Sequence, residues 1–181
     1  YYLNIHMQKI IFLDTETWWL DWDTDALLTI WYSVTNQLYE VFTTREFKLP
    51  IQWIINQTAL DINWLNVDNW EPNARIKDVV DQIERDIGTS EEYALYWHNI
   101  FFDLNFIRSQ DKEQYNRIMS LFKRNIVDTK SLFIQLIQDC KYDGSCSMHK
   151  IMWDDNKHNA WWDTKLNAEL MKKYSILNKK Q

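Results

Sequence analysis

The sequence predicts an α/β fold, a mixed five-stranded sheet flanked by helices. Two observations carry that prediction. Three apolar, strand-like segments follow one another between Lys9 and Thr44 with only turns between them, and from Ile76 onward helical and strand-like segments alternate. A meander supplies antiparallel strands, whereas strands joined by a helical crossover run parallel.

The first strand is Lys9 to Asp14, with the apolar run Ile10 to Leu13 at its centre, followed by a polar turn from Thr15 to Asp25. Leu27 to Val34 and Leu38 to Thr44 are the second and third strands, and Asn36-Gln37 between them suits a short hairpin turn. Phe47 to Pro72 shows no clear period and reads as a long, partly helical connection. Ile76, Val79, Val80, Ile83 and Ile87 recur at helical spacing, and Gly88 ends that helix. Tyr93 to Trp97 is a short buried strand leading into His98-Asn99, and Phe102 to Ser109 is helical. Asn125 to Val127 is the fifth strand, after which Asp128-Thr129 caps a helix running to about Cys140. Lys141 to Cys146 forms a loop, Ser147 to Trp153 a short helix and Trp161 to Tyr174 a longer one.

At 181 residues the chain is long enough for one full core. The single domain is read as residues 7–175, with 1–6 as upstream read-through before Met7 and 176–181 as a basic tail. Two cysteines outside any zinc spacing point to a reduced, cytoplasmic setting, and no apolar run is long enough to span a membrane. The net charge of −6 argues against a passive nucleic-acid coat, which needs Lys and Arg against phosphate. Residues 150–181 nevertheless hold seven Lys against four acids, a local balance of +3.

One count is abnormal. The chain holds eleven Trp and two Gly, where average usage near 7% Gly predicts about thirteen Gly. Trp18, Trp19, Trp22, Trp64 and Trp70 stand at turn positions suited to Gly. We read most of these Trp as standing for Gly, as when a lineage that decodes UGA as glycine is translated with a table that reads it as tryptophan. Ordinary UGG codons at these positions refute that reading.

The chemistry-bearing residues are acids in apolar surroundings. Asp14 and Glu16 lie two apart at the end of the first strand, so both point to one side. Their mutual repulsion calls for a cation. Two later segments repeat the pattern: His98 to Asp103 (HNIFFD) and His158 to Asp163 (HNAWWD). Asp128 also sits at a strand end, but Asp-Thr before an apolar helix is a capping signature, so it stays outside the metal set.

Asp14-x-Glu16, Asn99-x-x-Phe102-Asp103 and His158-x-x-x-x-Asp163 resemble, in order and interval, the three motifs of the DEDDh 3′–5′ exonucleases. This is the DnaQ-like family, which includes the proofreading epsilon subunit of bacterial DNA polymerase III. The resemblance covers Met7 to about Tyr174 and implies a ribonuclease H-like fold. It also implies two divalent ions, Mg²⁺ or Mn²⁺, held by Asp14, Glu16, Asp103 and Asp163, with His158 as general base. Thr17 and backbone groups around Thr15 are implied contacts to the terminal nucleotide, and Leu20 is the wedge against the terminal bases. Asn99 orders the second-motif loop, and Phe102 packs beside the site.

The implied substrate is a single-stranded 3′ end, with DNA preferred and RNA trimming left open. A polymerase partner is open on the same grounds. The sequence departs from the family where Trp18, Trp19, Trp31, Trp64 and Trp97 replace residues that are commonly Gly. If these rings are genuine they crowd the nucleotide path, which favours the rival reading of a catalytically inactive binding module.

Overall fold

The computed structural model describes residues 8–17, 21–51, 69–88, 93–123, 125–136 and 164–172. Five strands form one sheet: β1 (Lys9–Thr17), β2 (Leu27–Thr35), β3 (Val41–Lys48), β4 (Tyr93–Trp97) and β5 (Ile126–Asp128). Their order is β3-β2-β1-β4-β5. The first three pair antiparallel, and β4 pairs parallel with both β1 and β5. The expected mixed five-stranded sheet is therefore the observed one.

The helices are α1 (Ile76–Ile87), α2 (Ile100–Gln110), α3 (Lys112–Phe122), α4 (Thr129–Leu136) and α5, spanning 164–172. The two faces of β1 sort them by the strand period of two. Ile11 and Leu13 pack into the larger core with Val79, Val80 and Ile83 of α1, Phe106 and Ile107 of α2, and Phe122 of α3. Ile10 and Phe12 point the other way, onto Leu166, Ala168, Leu170 and Met171 of α5. A central strand buried on both faces reads as a continuous apolar run, which is why Ile10 to Leu13 shows no alternation.

Several boundaries differ from expectation. β1 continues to Thr17 instead of turning after Asp14, because Thr15 and Glu16 still pair with Ile30 and Thr29 before a bulge at Glu16/Thr17. The β2–β3 connection is a five-residue loop rather than a two-residue turn. The Asn36 side-chain oxygen accepts from the backbone N–H of Leu38 (2.8 Å) and Glu40 (3.1 Å), and Tyr39 takes a left-handed backbone with φ 61°. β3 therefore begins at Val41, not Leu38.

α3 was not expected at all: the chain breaks at Asp111, whose carboxylate caps the new helix on the N–H of Gln114 (3.1 Å). α2 also starts earlier than Phe102, at Ile100. The helix expected from Ser147 to Trp153, the loop Lys141 to Cys146 and most of the 47–72 connection lie outside the described residues.

Among the described Trp, residues 22, 31, 70 and 97, none takes a positive φ. Backbone conformation therefore does not demand Gly at these four positions. Trp18, Trp19 and Trp64 lie outside the described residues. Gly88 does need its freedom: it ends α1 with φ 62°, its N–H donating to the Glu84 carbonyl at 3.0 Å.

Candidate functional site

Asp14 and Glu16 lie toward the C-terminal end of β1. Asp14 lies opposite Trp31, and Glu16 opposite Thr29. Antiparallel partners share a face, so both acids project to the side covered by α5. Glu16 is buried, while Asp14 is half-buried. On the same face, Ser33 of β2 is hydrogen-bonded at 2.9 Å to Thr164, the first residue of α5. Thr164 follows Asp163 directly in the chain. Asp163 itself, with His158 and Leu20, lies outside the described residues.

Thr15, between the two acids, points to the opposite face, and its hydroxyl donates to Asp103 in the first turn of α2. Both residues are buried. Burial pushes the Asp103 carboxyl up to about 8, because the charged form loses its hydration. The groups that oppose this rise are the Thr15 hydroxyl, the Asp103 and Thr15 backbone, and Trp97. None of them carries a charge. The Trp97 indole N–H, fully buried at the end of β4, makes no hydrogen bond of normal geometry among the described residues.

Local chemistry sets the approach of α2. Asn99 takes a left-handed backbone, φ 62°, a conformation Asn tolerates better than most residues, and this turns the chain from β4 into the helix. Its N–H donates to the Asp128 carboxylate at 3.0 Å, and its side-chain oxygen accepts from Lys130 at 3.2 Å. The same Asp128 carboxylate caps α4 on the N–H of Lys130 (3.0 Å) and accepts from the Ser131 hydroxyl (3.0 Å). Asp128 is thus engaged as a cap and a loop brace. His98 approaches Thr129 at 3.4 Å. Thr129 in turn bonds Asn167 of α5 at 2.8 Å, joining the second-motif loop to the C-terminal helix.

Of the residues singled out in the sequence, the structure brings Asp14, Thr15, Glu16 and Thr17 to one strand end, and it ties Asp103 to that end through Thr15. Thr17 is buried, and Phe102 is half-buried beside the core, its ring 5.1 Å from that of Phe106. Among the described residues no three His, Cys, Asp or Glu side chains gather closely enough to hold a metal ion. The donor chemistry still fits a hard cation: Asp103 is a buried carboxyl whose charged form burial disfavours, a charge that a divalent ion would neutralise. The contribution that sequence reasoning missed is the Thr15 side chain. Strand alternation alone could have placed it opposite the two acids, but not against a helix 88 residues away.

No family model matches the chain, and no curated protein matches it. Solved structures do. E. coli exonuclease I in complex with a dA16 oligonucleotide superposes with a TM-score of 0.72 at 13% identity, over 91% of this chain and 40% of that one. The zinc-bound form of the same enzyme with single-stranded DNA gives 0.69 at 13% identity over the same shares. A moderately thermophilic exonuclease I from Methylocaldum szegediense gives 0.68 at 13% identity, over 91% of this chain and 39% of that one.

The fold is ribonuclease H-like. At this identity the likeness establishes the fold alone, and the chain spans about 40% of the length of the exonuclease I chains. No helix among the described residues is long and apolar enough to cross a membrane.

Proposed function

We propose that this chain is a metal-dependent 3′–5′ exonuclease that removes nucleoside monophosphates from a single-stranded 3′ end, with DNA preferred. The observation that carries the reading is the buried, hydroxyl-held Asp103 at the strand end that presents Asp14 and Glu16. The likeness to exonuclease I, whose structures contain single-stranded DNA, supports it. The polymerase partner has no support of this kind and is left out of the proposal.

Asp14, Glu16, Asp103 and Asp163 would hold two Mg²⁺ or Mn²⁺ ions, which when bound neutralise charge on the entering and leaving oxygens. Thr15 is a positioning residue: its hydroxyl fixes one Asp103 oxygen. His158 takes the proton of the attacking water. Thr17, Leu20 and backbone groups near Thr15 contact the terminal nucleotide. Asn99 and Asp128 fix the loop from which Phe102 and Asp103 are presented.

The test is release of 5′-mononucleotides from 5′-labelled single-stranded DNA and RNA of matched sequence, with Mg²⁺, Mn²⁺ or chelator. The expected result is stepwise shortening from the 3′ end that needs metal, is faster on DNA and is abolished by Asp14→Ala. Faster shortening of RNA selects the RNA-trimming alternative.

The inactive-module reading is favoured by one observation, the half-buried Trp31 ring position directly opposite Asp14. Absence of metal-dependent hydrolysis both in this chain and in a form with Gly at 18, 19, 31 and 97 selects that reading.

A further inference from the structure

The side of β2 that borders the two acids carries a buried row of hydroxyls. Thr29, Trp31, Ser33 and Thr35 alternate along the strand and so point one way. Each stands directly opposite a residue of β1: Thr29 against Glu16, Trp31 against Asp14, Ser33 against Phe12 and Thr35 against Ile10. Ile10 and Phe12 pack on α5, so this is the side that α5 covers. Thr29, Ser33 and Thr35 are all fully buried.

Two of the three hydroxyls have partners. Ser33 is bonded to Thr44 of β3 at 3.0 Å and to Thr164 of α5 at 2.9 Å. Thr35 donates to the Asn36 carbonyl at 3.1 Å and reaches the Ile10 carbonyl at 3.5 Å. The Thr29 hydroxyl has no hydrogen-bond partner among the described residues. A buried hydroxyl without a partner loses its hydration and gains nothing in return, and Val would fill the same space without that loss. Such a group calls for a physical explanation.

The residue that Thr29 faces supplies one. Directly paired residues of antiparallel strands hold their Cβ atoms about 4.5–5.5 Å apart, which puts a hydroxyl on one within reach of a carboxylate on the other. Glu16 is only 8% exposed, so water does little to stabilise its charge. The bulge between Glu16 and Thr17 falls at this pair, and a bulge re-aims the side chains beside it.

Resting on the exonuclease reading, in which Glu16 is a metal ligand, we propose that Thr29 is the positioning residue for Glu16. Its hydroxyl donates to the Glu16 carboxylate in the charged, metal-holding form and fixes the orientation of that carboxylate. On the opposite face of β1, Thr15 does the same for Asp103. The two pairs differ in one respect: Thr15 already donates to Asp103, whereas the Thr29 bond forms as the site is loaded. Loading then satisfies a buried hydroxyl as well as a buried acid.

The experiment titrates Mn²⁺ into the full chain by calorimetry without substrate, alongside thermal melts in chelator and 3′-end hydrolysis of DNA and RNA. Thr29→Val keeps the side-chain shape and removes the hydroxyl, while Thr29→Ser keeps the hydroxyl. Thr29→Val should bind Mn²⁺ about tenfold more weakly, the lower end of the range for groups that orient a metal ligand. Thr29→Ser should recover most of that loss. In chelator, Thr29→Val should melt no lower than the unmodified chain, because the hydroxyl it removes has no partner there. A packing role would instead lower that melt. In a Glu16→Ala chain, Thr29→Val should have no further effect on Mn²⁺ affinity, since the acceptor is gone.

Unchanged Mn²⁺ affinity in Thr29→Val, no Mn²⁺ binding at all, an equal loss in the Glu16→Ala chain or a lower melt in chelator overturns the inference. Mn²⁺ binding that depends on Thr29 through Glu16, in a chain that hydrolyses neither DNA nor RNA, supports the positioning role while refuting the exonuclease reading. Metal-dependent hydrolysis with Mn²⁺ binding indifferent to Thr29 does the reverse.

Discussion

Thr15→Val removes one hydroxyl and keeps the side-chain shape, so it isolates what that hydroxyl does for Asp103. The Thr15 oxygen is the leading group that opposes the burial-driven rise of the Asp103 carboxyl. A hydrogen bond to a charged group contributes about 1.5–3 kcal/mol, and about 1.4 kcal/mol corresponds to one pKa unit. Because the carboxylate recovers part of the loss from its backbone contacts, the lower end of that range applies. The Asp103 carboxyl should therefore rise by about one unit.

Metal binding needs the carboxylate, so apparent affinity for Mn²⁺ should fall about tenfold near neutral pH, and the acid limb of the pH–rate profile should move up by about one unit. The assay is 3′-end hydrolysis against metal concentration at several pH values. Thr15→Ser, which keeps the hydroxyl, should restore most of the affinity. An unchanged metal dependence and pH limb in Thr15→Val, with Asp14→Ala inactive, would refute the positioning role.

Asp103 also links stability to pH. Its folded-state pKa lies above the ordinary carboxylate value, so the stability it contributes is fully present below about pH 4 and is lost as pH rises toward 8, by up to about 1.4 kcal/mol per unit. Thermal melts in chelator should show this fall, and Asp103→Asn should flatten it; equal slopes in both proteins reject the link. Asp128→Asn keeps the cap and loop-brace acceptor, so metal-dependent hydrolysis should stay within a few-fold of the parent, whereas a loss of a thousand-fold places Asp128 among the metal ligands.

Asp86→Ala should cost about 2 kcal/mol in denaturant unfolding, since its carboxylate accepts from Arg45 (2.5 and 2.8 Å), Tyr32 (2.7 Å) and Gln82 (2.9 Å). Arg45 is partly exposed, which keeps the figure below that of a fully buried pair. Burial alone would raise the Asp86 carboxyl, but these hydrogen bonds more than offset it and hold it below its usual value. The stabilisation is thus present above about pH 4 and lost as pH falls through the lowered value, a loss Asp86→Ala should abolish.

The sequence by itself determined the parts that depend on near neighbours. The apolar run Ile10 to Leu13, the α1 stripe from Ile76 to Ile87 and the strand Tyr93 to Trp97 are local patterns, and each became the element that pattern predicted. The same locality placed Asp14 and Glu16 on one face of β1 and identified Asp128 as a helix cap. The break at Asp111 is readable as a cap, and Tyr115, Ile118, Met119 and Phe122 recur at helical spacing, so α3 is also a local pattern, although it was not among the expected elements.

What the tertiary structure decided concerns partners far apart in sequence. β1 extends to Thr17 only because β2 lies beside it to pair with Thr15 and Glu16. The Thr15 hydroxyl meets Asp103 only because α2 packs on the face of β1 opposite the two acids. A cleft beside Arg108 and Lys112 exists only where the Asp21–Asp25 turn folds against α2. A side chain's type and period set the face it takes, but whether a carboxylate there meets water, a hydroxyl or a cation depends on which distant segment covers that face.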